Sequence, residues 1–167
     1  MAFRRILVLG GARSGKSALA ERLALECGEP VVYVATATPS DAEMAERIAH
    51  HRARRPPTWR TIEAPLGGIS DVGEATTVLV EDLTLLLSNH LERDAMQAEA
   101  LIAREIDALL AIEANVIVVS NEVGMGLVPP YPLGRVFRDA MGRINQAAAA
   151  SCDEVYLTVA GLPLRLK

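Results

Sequence analysis

The chain has 167 residues, of which 50% are hydrophobic and 4% aromatic, so it can build one domain around its own core. Its formal net charge of −4 argues against bulk binding of nucleic acid, which needs a broad basic surface. No apolar run approaches the roughly 20 residues of a membrane span, and Cys27 and Cys152 lack metal-ligand spacing. We therefore expect a single cytoplasmic domain over 1–167 with free thiols, no membrane span and no nucleic-acid partner.

Apolar, β-branched runs alternate with helical segments along the chain. The predicted strands cover residues 5–10, 31–36, 77–82, 116–120 and 154–161, with a further short strand at 59–63. The predicted helices cover residues 16–27, 41–54, 94–113 and 135–151, and Ser40 or Asp41 caps the second of them. This pattern favours an α/β fold in which a mostly parallel sheet is covered by helices on both faces.

Ligands of such sheets bind beyond the carboxyl ends of the strands. The segments that follow the strands at 5–10, 31–36, 77–82 and 116–120 should therefore share one edge. The last of these segments, NEVGMGLVPPYPLG at 121–134, is rich in Gly and Pro and is long for a connection. Loops of this length in a compact domain are usually functional.

A phosphate-binding motif, the P-loop, follows the first predicted strand. The stretch GGARSGKS fits the pattern G-x-x-x-x-G-K-[ST] and opens the first predicted helix. Its backbone N–H groups and the helix N-terminus can surround phosphate oxygens, with Lys16 on the β- and γ-phosphates and Ser17 on Mg²⁺. The predicted nucleotide contacts here are Gly10, Gly11, Ala12, Arg13, Ser14, Gly15, Lys16 and Ser17.

The magnesium ion of a P-loop also needs an acidic residue at a neighbouring strand end. The predicted strand at 77–82 ends in Glu81 and Asp82. Side chains alternate along a strand, so the two carboxylates are expected to have different tasks. Because Asp is common at helix N-caps, we predict Ser17 and Glu81 as the metal ligands and Asp82 as a cap.

Two adjacent histidines lie on the second predicted helix. Helical spacing places His51 in an apolar row with Met44 and Ile48, and His50 in a charged row with Arg54. His51 is therefore expected to be structural, whereas His50 faces polar surroundings. A surface histidine without a role is the competing interpretation of His50.

A histidine beside a triphosphate can act as a nucleophile. Neutral imidazole attacks phosphorus and holds the group as a phosphoramidate, which splits one transfer into two. Arg52, Arg54 and Arg55 could neutralise the developing phosphate charge. The helix C-terminus and Glu46 favour the imidazolium form of His50, which cannot attack. The neighbouring arginines disfavour this charged form, so the sequence leaves the protonation state of His50 open.

The motifs together resemble the bifunctional adenosylcobinamide kinase / adenosylcobinamide-phosphate guanylyltransferase family of cobalamin biosynthesis. The resemblance covers nearly the whole chain, with the blocks in the same order: ILVLGGARSGKS, YVATA, DAEMAERIAHHRARRP, SNEVGMGLVP, GRVFRDAMGRINQ and LTVAGLPLRLK. The paired histidine and the N-E-V-G-x-G-x-V-P block are more specific than the P-loop.

The resemblance implies two reactions, Mg²⁺ as cofactor, a RecA-like P-loop fold and a homotrimer. The family phosphorylates the aminopropanol hydroxyl of adenosylcobinamide, a corrinoid, with ATP or GTP. It then transfers GMP from GTP to that phosphate through a GMP–histidine, giving adenosylcobinamide-GDP and pyrophosphate. The family's nucleophile, the first histidine of the pair, falls on His50.

The resemblance also implies nucleotide contacts outside the P-loop. They fall on Ala35, Thr36, Ala37, His51, Arg52, Ala53, Arg54, Glu63 and Glu81. Where the family has an acid followed by Cys after the fourth strand, this chain has Glu81–Asp82, which adds a second charge.

Two other functions fit the P-loop: a monofunctional kinase of a small alcohol, and a slow nucleotide-dependent switch in which 121–134 moves. Asn121 and Glu122 either orient a substrate hydroxyl or cap the end of a strand. Asn145 and Gln146 are candidate subunit contacts, and His90 is expected at the surface. Trp59 is expected to pack in the core, with stacking on a base as the alternative.

Overall fold

The computed structural model describes residues 3–167, which form seven strands and five helices. The strands are β1 Arg5–Gly10, β2 Val31–Ala35, β3 Arg60–Glu63, β4 Thr77–Glu81, β5 Asn115–Asn121, β6 Glu154–Val159 and β7 Leu162–Arg165. The helices are α1 Lys16–Cys27, α2 Ala42–Arg54, α3 Leu83–Leu91, α4 Ala98–Leu110 and α5 Pro132–Ser151. Within residues 3–167, none of these helices has the length and apolarity needed to cross a membrane.

All strands join one sheet in the order β3-β2-β4-β5-β1-β6-β7. Every neighbouring pair is parallel except β6 and β7, which are antiparallel. The predicted α/β fold with a mostly parallel sheet is therefore confirmed. Because β1, β2, β4 and β5 run in one direction, the segments that follow them share one edge of the sheet, as expected.

Both faces of the sheet are covered by helices. Along β1, Ile6 and Val8 pack in a buried cluster with α1, whereas Leu7 and Leu9 pack in a second cluster with α3, α4 and α5. This alternation follows from the two-residue period of a strand. A strand that is apolar on both faces has to lie in the interior of a covered sheet.

The C-terminal hairpin differs from the single strand predicted at 154–161. β6 ends at Val159, and the chain turns through Ala160 and Gly161, which have φ angles of 52° and 79°. Positive φ at both central residues is the signature of the tight hairpin turn that matches strand twist. β7 contains Pro163, which is tolerated because β7 is the outermost strand of the sheet.

The helices also differ from the predicted boundaries. The segment Leu83–Leu91 forms a separate helix, and it is so apolar that it lacks a clear polar face by which to recognise it. The prediction that His90 lies at the surface is wrong, because it is buried in this helix with 9% exposure. α5 begins at Pro132, three residues earlier than predicted, because Pro fits the first turn of a helix.

Both cysteines of the described chain are free thiols, as predicted. Burial raises the pKa of the Cys152 thiol to about 11 and also raises the pKa of Cys27. Because the thiolate is the reactive form, neither sulfur is set up as a nucleophile.

Candidate active site

The loop between β1 and α1 has the backbone geometry of a phosphate cradle. Gly10 has no room for a side chain, because a Cβ would clash with Ser14 Oγ and lie 2.9 Å from the carbonyl oxygen of Thr158. Gly15 has a φ angle of 93°, which favours glycine. Gly161 donates from its N–H to the carbonyl oxygen of Ser14 at 2.8 Å, so the β6–β7 turn supports the loop.

Lys16 lies at the first position of α1, and only 4% of its surface is exposed. Its Nζ donates to the carbonyl oxygen of Gly11 at 3.4 Å. Burial lowers the pKa of Lys16, while Asp82 and Glu81 act in the opposite direction. The arrangement holds a compact cation where the helix N-terminus also favours an anion.

Ser17 and Glu81, the predicted metal ligands, are in direct contact. Ser17 Oγ donates to Glu81 Oε1, and the hydroxyl of Tyr33 donates to Glu81 Oε2 at 2.9 Å. A hydroxyl and a carboxylate beside Lys16 form the oxygen donor set that Mg²⁺ prefers together with substrate phosphates. The residues present therefore fit a magnesium ion.

Asp82 has the capping role predicted for it. Its carboxylate accepts from the N–H of Leu85 at 2.8 Å and caps α3. Burial is the main cause that raises the pKa of Asp82 to about 6, and the charge of Glu81 acts in the same direction. The second carboxylate of the Glu81–Asp82 pair, that of Asp82, therefore caps the N-terminus of α3.

Thr36 is fully buried at this point of the sheet. Its Oγ1 donates to the carbonyl oxygen of Asp82 and accepts from the Asp82 N–H, each at 2.7 Å. Its backbone N–H donates to the carbonyl oxygen of Glu81, and its carbonyl oxygen accepts from the side-chain amide of Asn89. Thr36 thus joins the ends of β2 and β4.

Helix α2 brings the two histidines to the P-loop. Asp41 caps it by accepting from the N–H of Met44 at 2.8 Å. His50 is exposed, whereas the side chain of His51 is 20% exposed and its Nδ1 lies 3.7 Å from Glu81 Oε1. The predicted difference between the two histidines is therefore confirmed.

A cleft of about 690 Å³ separates α2 from the P-loop. It is lined by residues 12–18 of the P-loop and the start of α1, and by Glu43, Glu46, Arg47, His50, His51 and Arg54 of α2. Ligand pockets of proteins typically measure about 300–1,000 Å³, so the cleft has the size for a nucleotide. His50 and the phosphate cradle face the same space.

A second pocket lies between α2 and the ends of β2, β3 and β4. Of the predicted nucleotide contacts, Ala35, Ala37, Glu63 and Glu81 line this pocket, and His51 lines both. The remaining predicted contacts, Gly10, Gly11, Thr36, Arg52 and Ala53, line neither pocket. Arg52 is instead paired with Glu63 at 2.7 Å.

Two side chains of the site, Glu21 and Tyr33, were not predicted from the sequence. Glu21 pairs with Arg54 at 2.7 Å, and Tyr33 bonds Glu81 while the guanidinium of Arg55 lies 3.4 Å from its ring centroid. The position of Glu21, one helical turn after Ser17, is the signal that could have indicated it. Tyr33 lies within an apolar strand and gives no such signal.

The Tyr33 hydroxyl fixes one oxygen of Glu81, so Tyr33→Phe is expected to weaken Mg²⁺ binding by about 10-fold or more, as for other groups that orient ligands. Losing a buried hydrogen bond to a charged group should also lower the free energy of unfolding by about 2 kcal/mol. Magnesium titrations of nucleotide binding measure the first effect, and urea unfolding measures the second. Tyr156→Phe is the matched control, since Tyr156 bonds Glu154 at 2.8 Å, and it should leave the magnesium dependence unchanged. An unchanged magnesium dependence in Tyr33→Phe would refute this positioning role.

The Asn121 residue at the end of β5 serves the fold. The Asn121 amide donates to Thr84 at 3.0 Å, and the Asn121 carbonyl accepts from Asn145 at 3.1 Å. This favours the capping interpretation of Asn121. Asn145 is buried inside the chain, so its expected role in a subunit contact is wrong, whereas the expected packing of Trp59 is confirmed.

Comparison with known proteins identifies the family to which the sequence belongs. The sequence profile of "Cobinamide kinase / cobinamide phosphate guanyltransferase" matches residues 6–166. The bifunctional adenosylcobalamin biosynthesis protein CobP of Pseudomonas aeruginosa is 48% identical over 172 residues, covering 98% of this chain and 97% of that protein. The corresponding CobU of Escherichia coli is 43% identical over 180 residues, covering 97% of this chain and 99% of that protein.

Among solved structures, the P4 protein from bacteriophage phi6 in complex with ADP has a TM-score of 0.44 and 19% identity, covering 95% of this chain and 53% of that chain. A similarity this low supports no conclusion. The sequence profile and the relatives instead confirm the resemblance seen in the motifs. Because both named activities transfer a group, the chain is a transferase. It belongs to the cobinamide kinase / cobinamide phosphate guanyltransferase family.

Proposed function

We propose that the chain phosphorylates adenosylcobinamide with ATP or GTP, and then transfers GMP from GTP to the resulting phosphate through His50. The observation that carries this proposal is the shared cleft of about 690 Å³, into which both His50 and the P-loop face. The corrinoid must enter this cleft for either reaction. The cleft is lined by histidine, arginine, lysine and serine side chains suited to both transfers.

In the kinase reaction, the P-loop positions and neutralises the triphosphate. Its backbone N–H groups and the N-terminus of α1 face the phosphate oxygens, and the buried Lys16 balances the charge that spreads over them. Ser17 and Glu81 would hold Mg²⁺, which supplies further neutralisation of the β- and γ-phosphates. The Tyr33 hydroxyl keeps Glu81 turned toward Ser17.

In the guanylyl transfer, His50 acts as the nucleophile. Its unprotonated imidazole nitrogen attacks the α-phosphorus of GTP, a P–N bond forms, and pyrophosphate leaves with the electron pair of the broken P–O bond. The phosphate of adenosylcobinamide phosphate then attacks the same phosphorus, and the P–N electron pair returns to the imidazole. Arg47 and Arg54 line the cleft and can neutralise the charge on the phosphoryl oxygens.

Two labelled nucleotides separate this proposal from a monofunctional kinase. With adenosylcobinamide as acceptor, γ-labelled ATP should give adenosylcobinamide phosphate, and α-labelled GTP should then give labelled adenosylcobinamide-GDP. A chain that only phosphorylates would give the first product and never the second. A slow nucleotide switch would give neither product at an ordinary enzymatic rate.

We further propose that the chain is a cytoplasmic homotrimer. Support comes from the exposed apolar side chains around the β5–α5 connection, which another copy could cover: Met125, Leu127, Val128, Tyr131, Leu133 and Val136. Light scattering should give three times the 17.9 kDa chain mass, and Leu127→Asp should reduce it. Leu25→Asp, at an exposed site on α1, is the matched control. A monomeric wild-type chain would contradict the trimer. Recovery of the chain in the membrane fraction after cell fractionation would contradict the cytoplasmic location.

A further inference from the structure

Three metal-ligating side chains from three different elements converge beneath the cleft. Glu21 of α1, His51 of α2 and Glu81 of β4 each offer one ligand atom, and the three atoms lie within 4.8 Å of one another. His51 Nδ1 is 3.7 Å from Glu81 Oε1. Ligand atoms around a tetrahedral Zn²⁺ are about 3.3–3.4 Å apart, given bonds of about 2.0–2.1 Å. A small closing movement therefore brings the set to coordination distance.

The carboxylates retain capacity for a cation. Glu21 accepts from Arg54 at 2.7 Å through Oε2, whereas its Oε1 is buried without a hydrogen-bond partner in the described chain. Glu81 accepts from Ser17 and Tyr33, and each carboxylate oxygen has a second lone pair. A cation can therefore bind without breaking the Arg54–Glu21 pair, which would orient the ligand carboxylate from outside.

The donor set differs from that expected for magnesium. Mg²⁺ is bound by oxygen, whereas an imidazole with two carboxylates suits Zn²⁺ and related transition-metal ions. We propose that Glu21, His51 and Glu81 form a binding site for a divalent transition-metal ion.

Occupancy of this site has a consequence for the reactions, and this part rests on the proposed function. The transition-metal ion takes Glu81, which is also the predicted magnesium ligand beside Ser17. Zn²⁺ should therefore inhibit both transfers, and saturating Mg²⁺ with nucleotide should oppose the inhibition. Binding itself requires neither nucleotide nor activity.

Calorimetric titration of ZnCl₂ into the nucleotide-free full chain, without Mg²⁺, tests the site directly. We expect one ion per chain, with Glu21→Gln and His51→Gln each weakening binding by about 10-fold or more. His50→Gln is the matched control on the same helix and should bind Zn²⁺ like the wild type. Co²⁺ titrations of the same variants add the visible absorption of the bound ion as a readout of the imidazole ligand.

The results of these titrations test the metal site separately from the proposed function. No binding by the wild type, wild-type binding by His51→Gln, or equal loss in His50→Gln would each overturn the site. Circular dichroism of each variant confirms that lost binding is not lost folding, and if Glu21→Gln fails to fold, His51→Gln decides. If Zn²⁺ does not bind, the proposal of guanylyl transfer through His50 still stands. If that transfer is not observed, the titration still shows whether the metal site exists.

Discussion

Replacing His50 with alanine is expected to lower guanylyl transfer by at least about 10³-fold, because it removes the nucleophile that we propose for this reaction. Phosphoryl transfer should fall by less than about 10-fold, since the P-loop, Lys16 and the Ser17–Glu81 pair remain in place. The histidine is exposed, so the free energy of unfolding should change by no more than about 0.5 kcal/mol. The substitution should therefore separate the two activities of one chain.

Incubation with α-labelled GTP measures this loss directly. Wild-type chain should acquire a covalent label that is labile in acid and stable in alkali, as expected for a phosphoramidate, and His50→Ala should acquire none. Ala49→Ser is the matched control, because it changes an exposed neighbour on the same helix that lines neither pocket and keeps the nucleophile. A label that persists in His50→Ala would exclude this residue as the nucleophile, and the absence of any label in wild type would favour a monofunctional kinase.

Lys16→Met is expected to lower both activities by about 10²–10³-fold, because a preorganised charge aimed at the phosphates is lost. The same substitution should raise the free energy of unfolding by about 1 kcal/mol, since a buried cation is replaced by an apolar chain of similar length. Lys16 is 4% exposed, and its pKa is lowered by burial. Function and stability therefore move in opposite directions.

The pH dependence of stability gives a second readout for Lys16. In the folded chain its pKa lies below the ordinary value of 10.5, so between the two pKa values the unfolded chain binds more protons. Wild-type stability should consequently gain a contribution as the pH rises through the lowered pKa toward 10.5, and Lys16→Met should lack it. Urea unfolding across pH measures both, with Lys167→Met as control. A Lys16→Met chain that keeps full activity, or that is less stable than wild type, would contradict this account.

Much of the fold and of the site could be predicted because interactions between residues that are close in sequence determine it. The stretch from Gly10 to Ser17 encodes a strand end, a turn and a helix start, and each needs only local residues. Helical spacing alone separated His50 from His51, since a two-sided helix has few ways to lie on a sheet. The distinction between Glu81 and Asp82 followed in the same way from the preference of Asp for helix N-caps.

The remaining features depend on contacts that are distant in sequence. Tyr33 looks like one more apolar strand residue until β4 places Glu81 diagonally across from it, two residues beyond its register partner Leu79. Glu21 becomes part of the site only when Arg54, from the next helix, pairs with it. β7 was missed because Pro163 argues against a strand, and only the outermost position in the sheet makes it acceptable.

The most direct test of the central claim is to locate the covalent nucleotide on the chain. After incubation with GTP and Mg²⁺ and proteolysis at alkaline pH, tandem mass spectrometry of the peptide containing both histidines should place GMP on His50. A GMP adduct on His51, on Lys16 or on no residue, in a chain that still forms adenosylcobinamide-GDP, would contradict it.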